Sequence, residues 1–528
     1  MPDALSLPPD PAAARARRLV LGAILLAVLV VPMSISGTAV ALPRIGADTG
    51  ADVAALQWVV NAFNVTFAAF TLAWGAAADV VGRRRAFAAG AAIYAGASVL
   101  SALAREVLLL DVARALAGIG AAAIFSCGSA ILASLFSGPE RVRAFALFGT
   151  VAGLGLGVGP TASGLLVDGP GWPAIFALHA LALGVVLLAV PLVPADRGGA
   201  RAGATIDVPG TAAFVVALLA LTMAIAQASQ WGWTSPGVLL LTALAAVVLA
   251  VFVALERRRA HPMLELDLLR DRRLLGLCLV PVAGAVGFVT LLTFLPSYLT
   301  AARGASSGAA GLTMLLLTVP VLVCPVLAGR LVGRGASPDA VILASLVALV
   351  AGTASLTVIG PDVPLGVVVV PMLLVGAGMG LGAGLVDGQA LERVAPEKAG
   401  MAAGLLNTLR LGGEAVAVAV YGALLATFLR GALDDDLGRF GIAGARADGL
   451  VETVASGDAA APARLAPPAL REELAGTLAA GYDTAFHEVL WVLTGIGLVL
   501  ALVIWWLVRR PAPAAEAAGV PDGACEAA

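Results

Sequence analysis

The sequence predicts an all-α polytopic membrane protein with fourteen transmembrane helices. Three observations support this fold class: many long apolar stretches, a composition that is 60% hydrophobic but only 12% charged, and arginines concentrated in alternate loops. A bilayer core of about 30 Å requires roughly 20 apolar residues per helix. Soluble proteins carry far more charge, so a soluble globular fold is excluded.

The apolar stretches follow one another with short connections and leave little sequence for a soluble domain. Glycine is abundant, with 62 residues in the chain, as expected where helices approach closely in a membrane. In chain order, the predicted spans comprise residues 19–43, 54–78, 86–104, 108–136, 143–166, 173–193, 207–228, 237–255, 274–298, 309–329, 339–359, 365–390, 399–428 and 484–508.

The distribution of arginine predicts the orientation of the spans. The N-terminal segment and every second loop are rich in arginine, whereas the short loops between them hold only Arg44, Arg105 and Arg303. Cytoplasmic loops of membrane proteins carry an excess of Lys and Arg. We therefore expect a multi-pass protein with both termini in the cytoplasm. The Arg-rich and Ala-rich composition favours a bacterial inner membrane over an organelle.

The sequence contains no pattern for catalysis, metal binding or nucleic-acid binding. Its four cysteines are scattered, without metal-ligand spacing or a disulfide framework. We find neither a catalytic Ser/His/Asp set nor the GxxxxGKS/T pattern of ATP-binding loops. We expect no enzyme activity, no metal, no cofactor and no nucleic-acid partner.

The connection over 429–483 is much longer than the other loops. It contains three consecutive acids (Asp434 to Asp436), a middle rich in Gly, Ala and Pro, and a helix-like stretch over 470–478. Two interpretations stay open. The connection is either a solvated surface loop or a lid or docking segment at the outer mouth.

The connection between spans two and three combines an acid at a helix end, a glycine turn and an arginine cluster. Such an acid pairs with arginines or with helix ends and stabilises one packing of the bundle. The sequence therefore predicts a charged hinge. Its residues are Gly75, Asp79, Gly82, Arg83 and Arg84.

Spans four and five carry two more motifs. Arg114, followed by Gly118, places a charge inside an apolar helix, where it needs a partner or a water-filled cavity. Span five combines close-packing glycines with a proline that favours a bend. The residues of this motif are Gly155, Gly159, Pro160 and Gly164.

Together these motifs resemble those of the major facilitator superfamily, and fourteen spans are similar to its drug:proton antiporter branch. The likeness extends to span thirteen, through Gly400, Gly404, Asn407 and Arg410. It implies two six-helix bundles built from inverted repeats. The expected divisions are a cytoplasmic tail at 1–18, a bundle at 19–193, a linker with two extra spans at 194–272, a bundle at 273–508 and a cytoplasmic tail at 509–528.

The first span departs from the family pattern. Members usually carry an acid nine residues before a Leu-Pro pair, with an asparagine in between, whereas Ser34 and Ala39 stand at those positions here. A hydroxyl hydrogen-bonds a substrate but does not carry a proton at physiological pH. The usual acid for proton coupling is therefore absent from span one.

Proton coupling requires a protonatable group inside the bundle. Glu414 lies about halfway along span thirteen, and Arg410, one turn earlier, is in a position to pair with it. This pair is either structural or a site for coupling and cation recognition. Asp387, near the cytoplasmic end of span twelve, is expected to cap a helix or face a loop, or to be a further candidate for proton coupling. His179 is expected to be a structural group or to titrate near neutrality.

Several polar residues in the spans are expected to line a cargo cavity, namely Ser34, Thr38, Gln57, Asn61, Asn64 and Asn407. The resemblance implies a secondary active transporter that exports small hydrophobic or amphipathic molecules, drugs or a metabolite, by alternating access coupled to protons. We expect a monomer in the lipid bilayer. The alternatives are an uncoupled or differently coupled facilitator or importer, and a membrane sensor or assembly partner without transport.

Overall fold

The computed structural model describes residues 11–51, 53–194, 207–259, 264, 266–305, 307–395, 398–440, 442, 445–455 and 470–509. Within this part of the chain, fourteen helices are long and apolar enough to cross a membrane, which confirms the predicted fold class. Residues 1–10 and 510–528 of the expected tails, 195–206 of the linker and 456–469 of the long connection lie outside the described residues.

The first six helices form one group, the N-terminal half. Its helices are α1 (Pro11–Thr49), α2 (Val53–Val81), α3 (Arg83–Leu103), α4 (Val107–Leu135), α5 (Gly138–Asp168) and α6 (Pro173–Ala189). α1 packs on α5 and α6, and α4 packs on α2 and α3. Small residues bring these backbones together: a Cβ on Gly120 of α4 would collide with the backbone of Tyr94 in α3.

Two helices follow before the second group begins. α7 (Val208–Trp231) and α8 (Pro236–Glu256) pack on each other. Asp207 begins α7, because its carboxylate accepts a hydrogen bond from the N–H of Gly210 at 3.0 Å. α7 also contacts α2 and the thirteenth helix, so it touches both halves of the protein.

The last six helices form the C-terminal half. They are α9 (Arg272–Ala301), α10 (Ser307–Gly333), α11 (Pro338–Ser355), α12 (Leu365–Glu392), α13 (Ala399–Leu437) and α14 (Arg471–Arg509). α12 packs on α10 and α11, whereas α14 packs on α9 and α13. The two halves meet where α2 contacts α13 and where α5 contacts α10.

α12 is interrupted between Gly382 and Leu385. Gly384 has a φ of +76°, which a residue with a Cβ rarely adopts. A Cβ there would also collide with the carbonyl of Phe145 in α5. Glycine is therefore required by both the backbone turn and the contact between halves, and the second part of α12 is a separate short helix, Leu385–Glu392.

The connection expected over 429–483 contains more helix than the sequence analysis indicated. α13 continues to Leu437, a short helix spans Ala445–Ala455, and α14 begins at Arg471. Leu429, Leu433 and Leu437 are buried in one cluster with leucines of the first turns of α14. Their four-residue spacing is that of a helix face, so α13 extends past the length that a bilayer requires.

Candidate functional site

The two halves touch closely between α2 and α13. A Cβ on Gly75 or on Gly400 would collide with the carbonyl oxygen of the other residue. One turn along α2, Asp79 accepts hydrogen bonds from the N–H of Gly400 (3.1 Å) and of Met401 (2.9 Å). These are the first turn of α13, and a helix N-terminus carries partial positive charge. The carboxylate therefore stabilises this contact.

The predicted hinge orients Asp79. Gly82 separates α2 from α3 with a φ of +95°, which permits the tight turn. Arg83 then begins α3, and its Nη2 lies 3.6 Å from Asp79 Oδ1. Arg84, also expected in the hinge, is partly exposed. The hinge thus presents a largely buried carboxylate, flanked by one arginine, to the other half of the protein.

A second contact closes the same end of the protein. A Cβ on Gly149 of α5 would lie 3.0 Å from the backbone of Ala383, at the interruption of α12. Arg141, near the start of α5, lies 3.8 Å from Glu392 at the end of α12. Both contacts adjoin the arginine-rich loops, so we call this end the basic end. Here the two halves are in direct contact on both sides of the molecule.

Toward the opposite end, the contacting faces of α2 and α13 become exposed. Gln57, Asn61 and Asn64 follow one another at three- and four-residue spacing on the face of α2 that contains Gly75. Gln57 is exposed and the two asparagines are partly exposed. Glu414, on the matching face of α13, is also partly exposed. These accessible polar side chains lie on the facing sides of the two halves, away from the basic end, and we call the space between them the crevice.

Arg410 pairs with Asp387 rather than with Glu414. Its guanidinium donates to Asp387 Oδ2 at 2.7 Å and to Asn407 Oδ1 at 2.8 Å. Asp387 is 2% exposed and does not face a loop, in contrast to the expectation from sequence. The interruption at Gly384 explains the difference, because it starts a new helix that turns Asp387 toward α13.

This pairing changes the environment of two other predicted residues. Asn407 is buried and accepts a hydrogen bond from Arg410. It therefore does not line the crevice in this conformation. In the part of the chain that the structure describes, Glu414 makes no hydrogen bond and no ion pair within 4 Å; Arg410 acts on it only through its longer-range field. Glu414 is therefore a crevice carboxylate without a direct partner.

In the N-terminal half, Arg114 is 1% exposed and has a different set of partners. Its Nε donates to the carbonyl of Val59 at 2.9 Å, and its Nη1 donates to Ser34 Oγ at 2.6 Å. The guanidinium lies 4.4 Å from the ring centroid of Phe63. Ser34 and Thr38 are buried, and Thr38 donates to the Ser34 carbonyl at 2.7 Å. Neither reaches the crevice in this conformation.

Two more buried polar side chains accompany Arg114. His179 of α6 is 1% exposed, and neither of its ring nitrogens has a hydrogen-bond partner in the described chain. Tyr94 of α3 is fully buried, and its hydroxyl likewise lacks a partner with hydrogen-bond geometry. The sequence analysis considered His179 but missed Tyr94. The only signal for Tyr94 was the rarity of tyrosine, with four in the chain.

The glycines of spans four and five form packing contacts. A Cβ on Gly118 would collide with the Phe63 carbonyl in α2, and one on Gly155 or Gly159 would collide with the backbone of α1. Gly164 is less constrained, since its Cβ would meet only Val40 at 3.9 Å. Pro160 lies within α5, which continues to Asp168. These contacts stabilise the packing of α1, α2, α4 and α5 around Arg114.

Comparisons with known proteins agree with this architecture. The family model described as Major Facilitator Superfamily matches residues 24–418. The chain is 33% identical to multidrug resistance protein Stp of Mycobacterium tuberculosis, over 76% of this chain and 74% of Stp. It is 35% identical to puromycin resistance protein pur8 of Streptomyces alboniger, over 75% of this chain and 79% of pur8. The crystal structure of the human organic anion transporter MFSD10 aligns with a TM-score of 0.61 at 16% identity, covering 94% of this chain and 100% of that one; the likeness concerns the fold.

Proposed function

Because this chain belongs to the Major Facilitator Superfamily, we propose that it exports small hydrophobic or amphipathic organic molecules by alternating access, coupled to proton entry. Membership makes it a multi-pass membrane transporter rather than an enzyme. The names of its relatives, which refer to multidrug and puromycin resistance, support export of organic compounds. We place the protein in a bacterial cell membrane, as a monomer.

The asymmetric contact between the halves carries this proposal. Alternating access requires two bundles that separate at one end while they close at the other. Asp79 and Gly75 meet α13 at the basic end, whereas Gln57, Asn61 and Glu414 are exposed toward the opposite end. By the positive-inside rule the basic end is cytoplasmic. The crevice then faces outward.

The contribution of Asp79 to the contact at the basic end is small enough for a ligand to offset. A carboxylate at a helix N-terminus contributes about 0.3–1 kcal/mol when exposed and up to about 2 kcal/mol when partly buried. A tenfold difference in ligand affinity between two conformations is worth about 1.4 kcal/mol. A cargo molecule that binds the inward-facing form only moderately better therefore separates Asp79 from α13.

Glu414 is the coupling group in this proposal. A carboxylate at membrane depth is costly when ionised without a partner, and Arg410 is already bonded to Asp387. Glu414 is stabilised by a proton or by a cationic group of the cargo, and the two compete for one site. Such competition exchanges protons for cargo, which is antiport.

The test is transport in proteoliposomes under an imposed pH gradient, with rhodamine 6G as a cationic probe. Glu414→Gln is expected to abolish proton-driven accumulation but to retain exchange of labelled for unlabelled probe. Glu488→Gln is the matched control, since Glu488 is an exposed glutamate of α14. Proton-driven transport that persists at the wild-type rate in Glu414→Gln would exclude the coupling role.

A facilitator is the second candidate, and Ser34 favours it. Arg114 meets a hydroxyl where the family usually supplies an acid. If the probe equilibrates across the membrane without moving protons, in wild type and variant alike, the protein is a facilitator or uses another ion. A complete lack of transport would indicate a sensor or an assembly partner.

A further inference from the structure

We propose that Arg114 forms part of a binding site for an anion, either the acidic group of a cargo molecule or a small inorganic anion. This inference rests on the proposed transport function. It specifies that amphiphiles with an acidic group are among the substrates. It starts from an imbalance of charge. In the described chain no carboxylate lies within 4 Å of the Arg114 guanidinium, although it is 1% exposed.

Two acids of the same half, Asp48 and Asp111, form no ion pair with Arg114. Asp48 accepts a hydrogen bond from Trp172 Nε1 at 3.0 Å and lies 3.4 Å from Arg44. Asp111 lies one turn before Arg114 on α4, but its buried Oδ1 has no hydrogen-bond partner in the described chain, and it forms no ion pair there. Within the described chain the charge of Arg114 is therefore balanced by neutral groups: the oxygens of Ser34 and Val59, the nearby Tyr94 hydroxyl and the aromatic faces.

Such a balance is incomplete for a guanidinium. Arginine has five N–H donors in a planar fork that matches a carboxylate in two-point geometry. Nε and Nη1 are used, whereas Nη2 is buried and has no partner with hydrogen-bond geometry among the described residues. A buried cation without a counter-ion is costly in protein and more so in a membrane. An anion bound at Nη2 would accept the hydrogen bond that Nη2 lacks and would balance the charge of the guanidinium.

The side chains near Arg114 are suited to an anion. The Tyr94 hydroxyl interacts with Arg114 and has no hydrogen-bond acceptor of its own in the described chain. His179 lies within electrostatic range of Arg114 and has two unused ring nitrogens. A hydroxyl and an imidazole N–H both donate to anions. Three side chains from three helices therefore offer donors, and none offers a negative charge.

The aromatic rings beside Arg114 favour an organic anion. Phe63 lies 4.4 Å from the guanidinium carbon and Phe176 lies 5.7 Å from it, measured to the ring centroids. Asn61 and Asn64, on the same helix as Phe63, are partly exposed in the crevice. An aromatic acid that enters from the crevice would contact apolar rings along its body and Arg114 at its carboxylate.

Equilibrium binding to the purified full-length protein tests this proposal, with 2-naphthoate and its neutral analogue 2-naphthamide as probes. We expect wild type to bind naphthoate at least about tenfold more tightly, as is typical when a buried charge gains its partner. Arg114→Gln should remove this difference. Arg105→Gln is the matched control, because Arg105 is an exposed arginine in the loop before α4.

Ser34→Asp keeps the proposal testable if Arg114→Gln fails to fold. The new carboxylate would lie where Arg114 Nη1 already bonds, so it should raise the Tm in the absence of ligand and abolish the preference for naphthoate. A naphthoate preference that persists in Ser34→Asp would overturn the proposal, as would equal affinity for naphthoate and naphthamide in wild type with no response to chloride.

Salt exchange separates the two sources of the anion. A Tm that rises in chloride relative to gluconate, in wild type but not in Ser34→Asp, assigns the site to an inorganic anion. A response to naphthoate alone assigns it to the cargo. If neither anion is preferred while proton-driven export of rhodamine 6G is intact, this inference fails and the proposed function stands.

Discussion

Arg114 in the N-terminal half and Arg410 in the C-terminal half both lie inside apolar helices, and their charges are balanced in different ways. In the C-terminal half, Arg410 forms a 2.7 Å ion pair with Asp387, and an additional acid, Glu414, remains without a direct partner. In the N-terminal half, Arg114 donates hydrogen bonds to the Ser34 hydroxyl and a backbone carbonyl, and no described carboxylate lies within 4 Å of its guanidinium. The C-terminal half thus has an acid without a direct partner at Glu414, and the N-terminal half has an arginine without a carboxylate partner at Arg114.

This difference suggests a division of roles. A charged side chain without a partner inside a membrane protein is stabilised when it binds an ion or a ligand group of opposite charge. Glu414 suits a proton or a cation, and Arg114 suits an anion. A single cargo molecule or ion pair that bridges the crevice would satisfy both halves at once, and its departure would leave both sites unbalanced. The predictions below test how far the two arginines differ.

The largest effect is expected where the ion pair is complete. Asp387→Asn leaves Arg410 without a carboxylate and should lower the free energy of unfolding by about 3–5 kcal/mol, the usual cost of breaking a buried pair. The double variant Asp387→Asn/Arg410→Gln should regain part of this loss. Thermal unfolding in detergent measures both. Equal losses in the single and double variants would show that packing, not charge, dominates here.

The equivalent change in the N-terminal half should cost less. Ser34→Ala removes one hydrogen bond to a charged group, worth about 1.5–3 kcal/mol, because Arg114 retains its bond to the Val59 carbonyl. The same unfolding measurement applies. Ser36→Ala, a neighbouring serine that bonds only its own helix backbone, is the control. If Ser34→Ala costs as much as Asp387→Asn, the contrast between the halves is wrong.

The contact between the halves is tested at Gly75. A Cβ there would collide with the Gly400 carbonyl, so Gly75→Ala should weaken the closed basic end by about 1–3 kcal/mol. Spin labels placed on the two halves at this end should report a longer distance, and transport should slow. Gly96→Ala, at an exposed glycine with open space around it, should change neither. An unaltered distance in Gly75→Ala would contradict the closed contact.

The smallest effect concerns an ion pair outside the membrane spans. Partial burial tends to raise the pKa of Asp271, but hydrogen bonds from Arg393 and from the N–H groups of Leu274 and Arg273 lower it below its usual value. Asp271→Asn should keep the helix cap, because asparagine caps a helix about as well as aspartate, but it loses the ion pair with Arg393, which should cost about 0.2–1 kcal/mol at this partly exposed site.

The sign of the pH dependence follows from the lowered pKa. The stabilisation by Asp271 is present above the pKa of the unfolded chain, about 3.9, and is lost only as the pH falls through the lower folded value. The Tm difference between wild type and Asp271→Asn should therefore be constant from pH 5 to 8. If this Tm difference disappears near neutral pH, the pKa of Asp271 is not lowered. The partly exposed Asp271 pair and the buried Asp387 pair would then not differ in the way proposed.

The spans, the hinge and the packing glycines were predictable because they are local. Helix length, apolar content and the three- and four-residue spacing of small residues are properties of adjacent residues. The hinge required only that Gly82 permit a tight turn between Asp79 and Arg83. The extension of α13 to Leu437 was also encoded in its leucine spacing. It was missed because span thirteen was predicted to end at 428, the length that a bilayer requires.

Charge pairing was decided by tertiary structure. Sequence proximity favoured Arg410 with Glu414, four residues apart, yet the interruption at Gly384 brings Asp387 to Arg410 from another helix. The surroundings of Arg114 come from five helices, including Tyr94 and His179, whose spacing in the chain gives no hint of contact. An intramembrane charge takes the partner that is closest in space, and that distance is set by how helices cross.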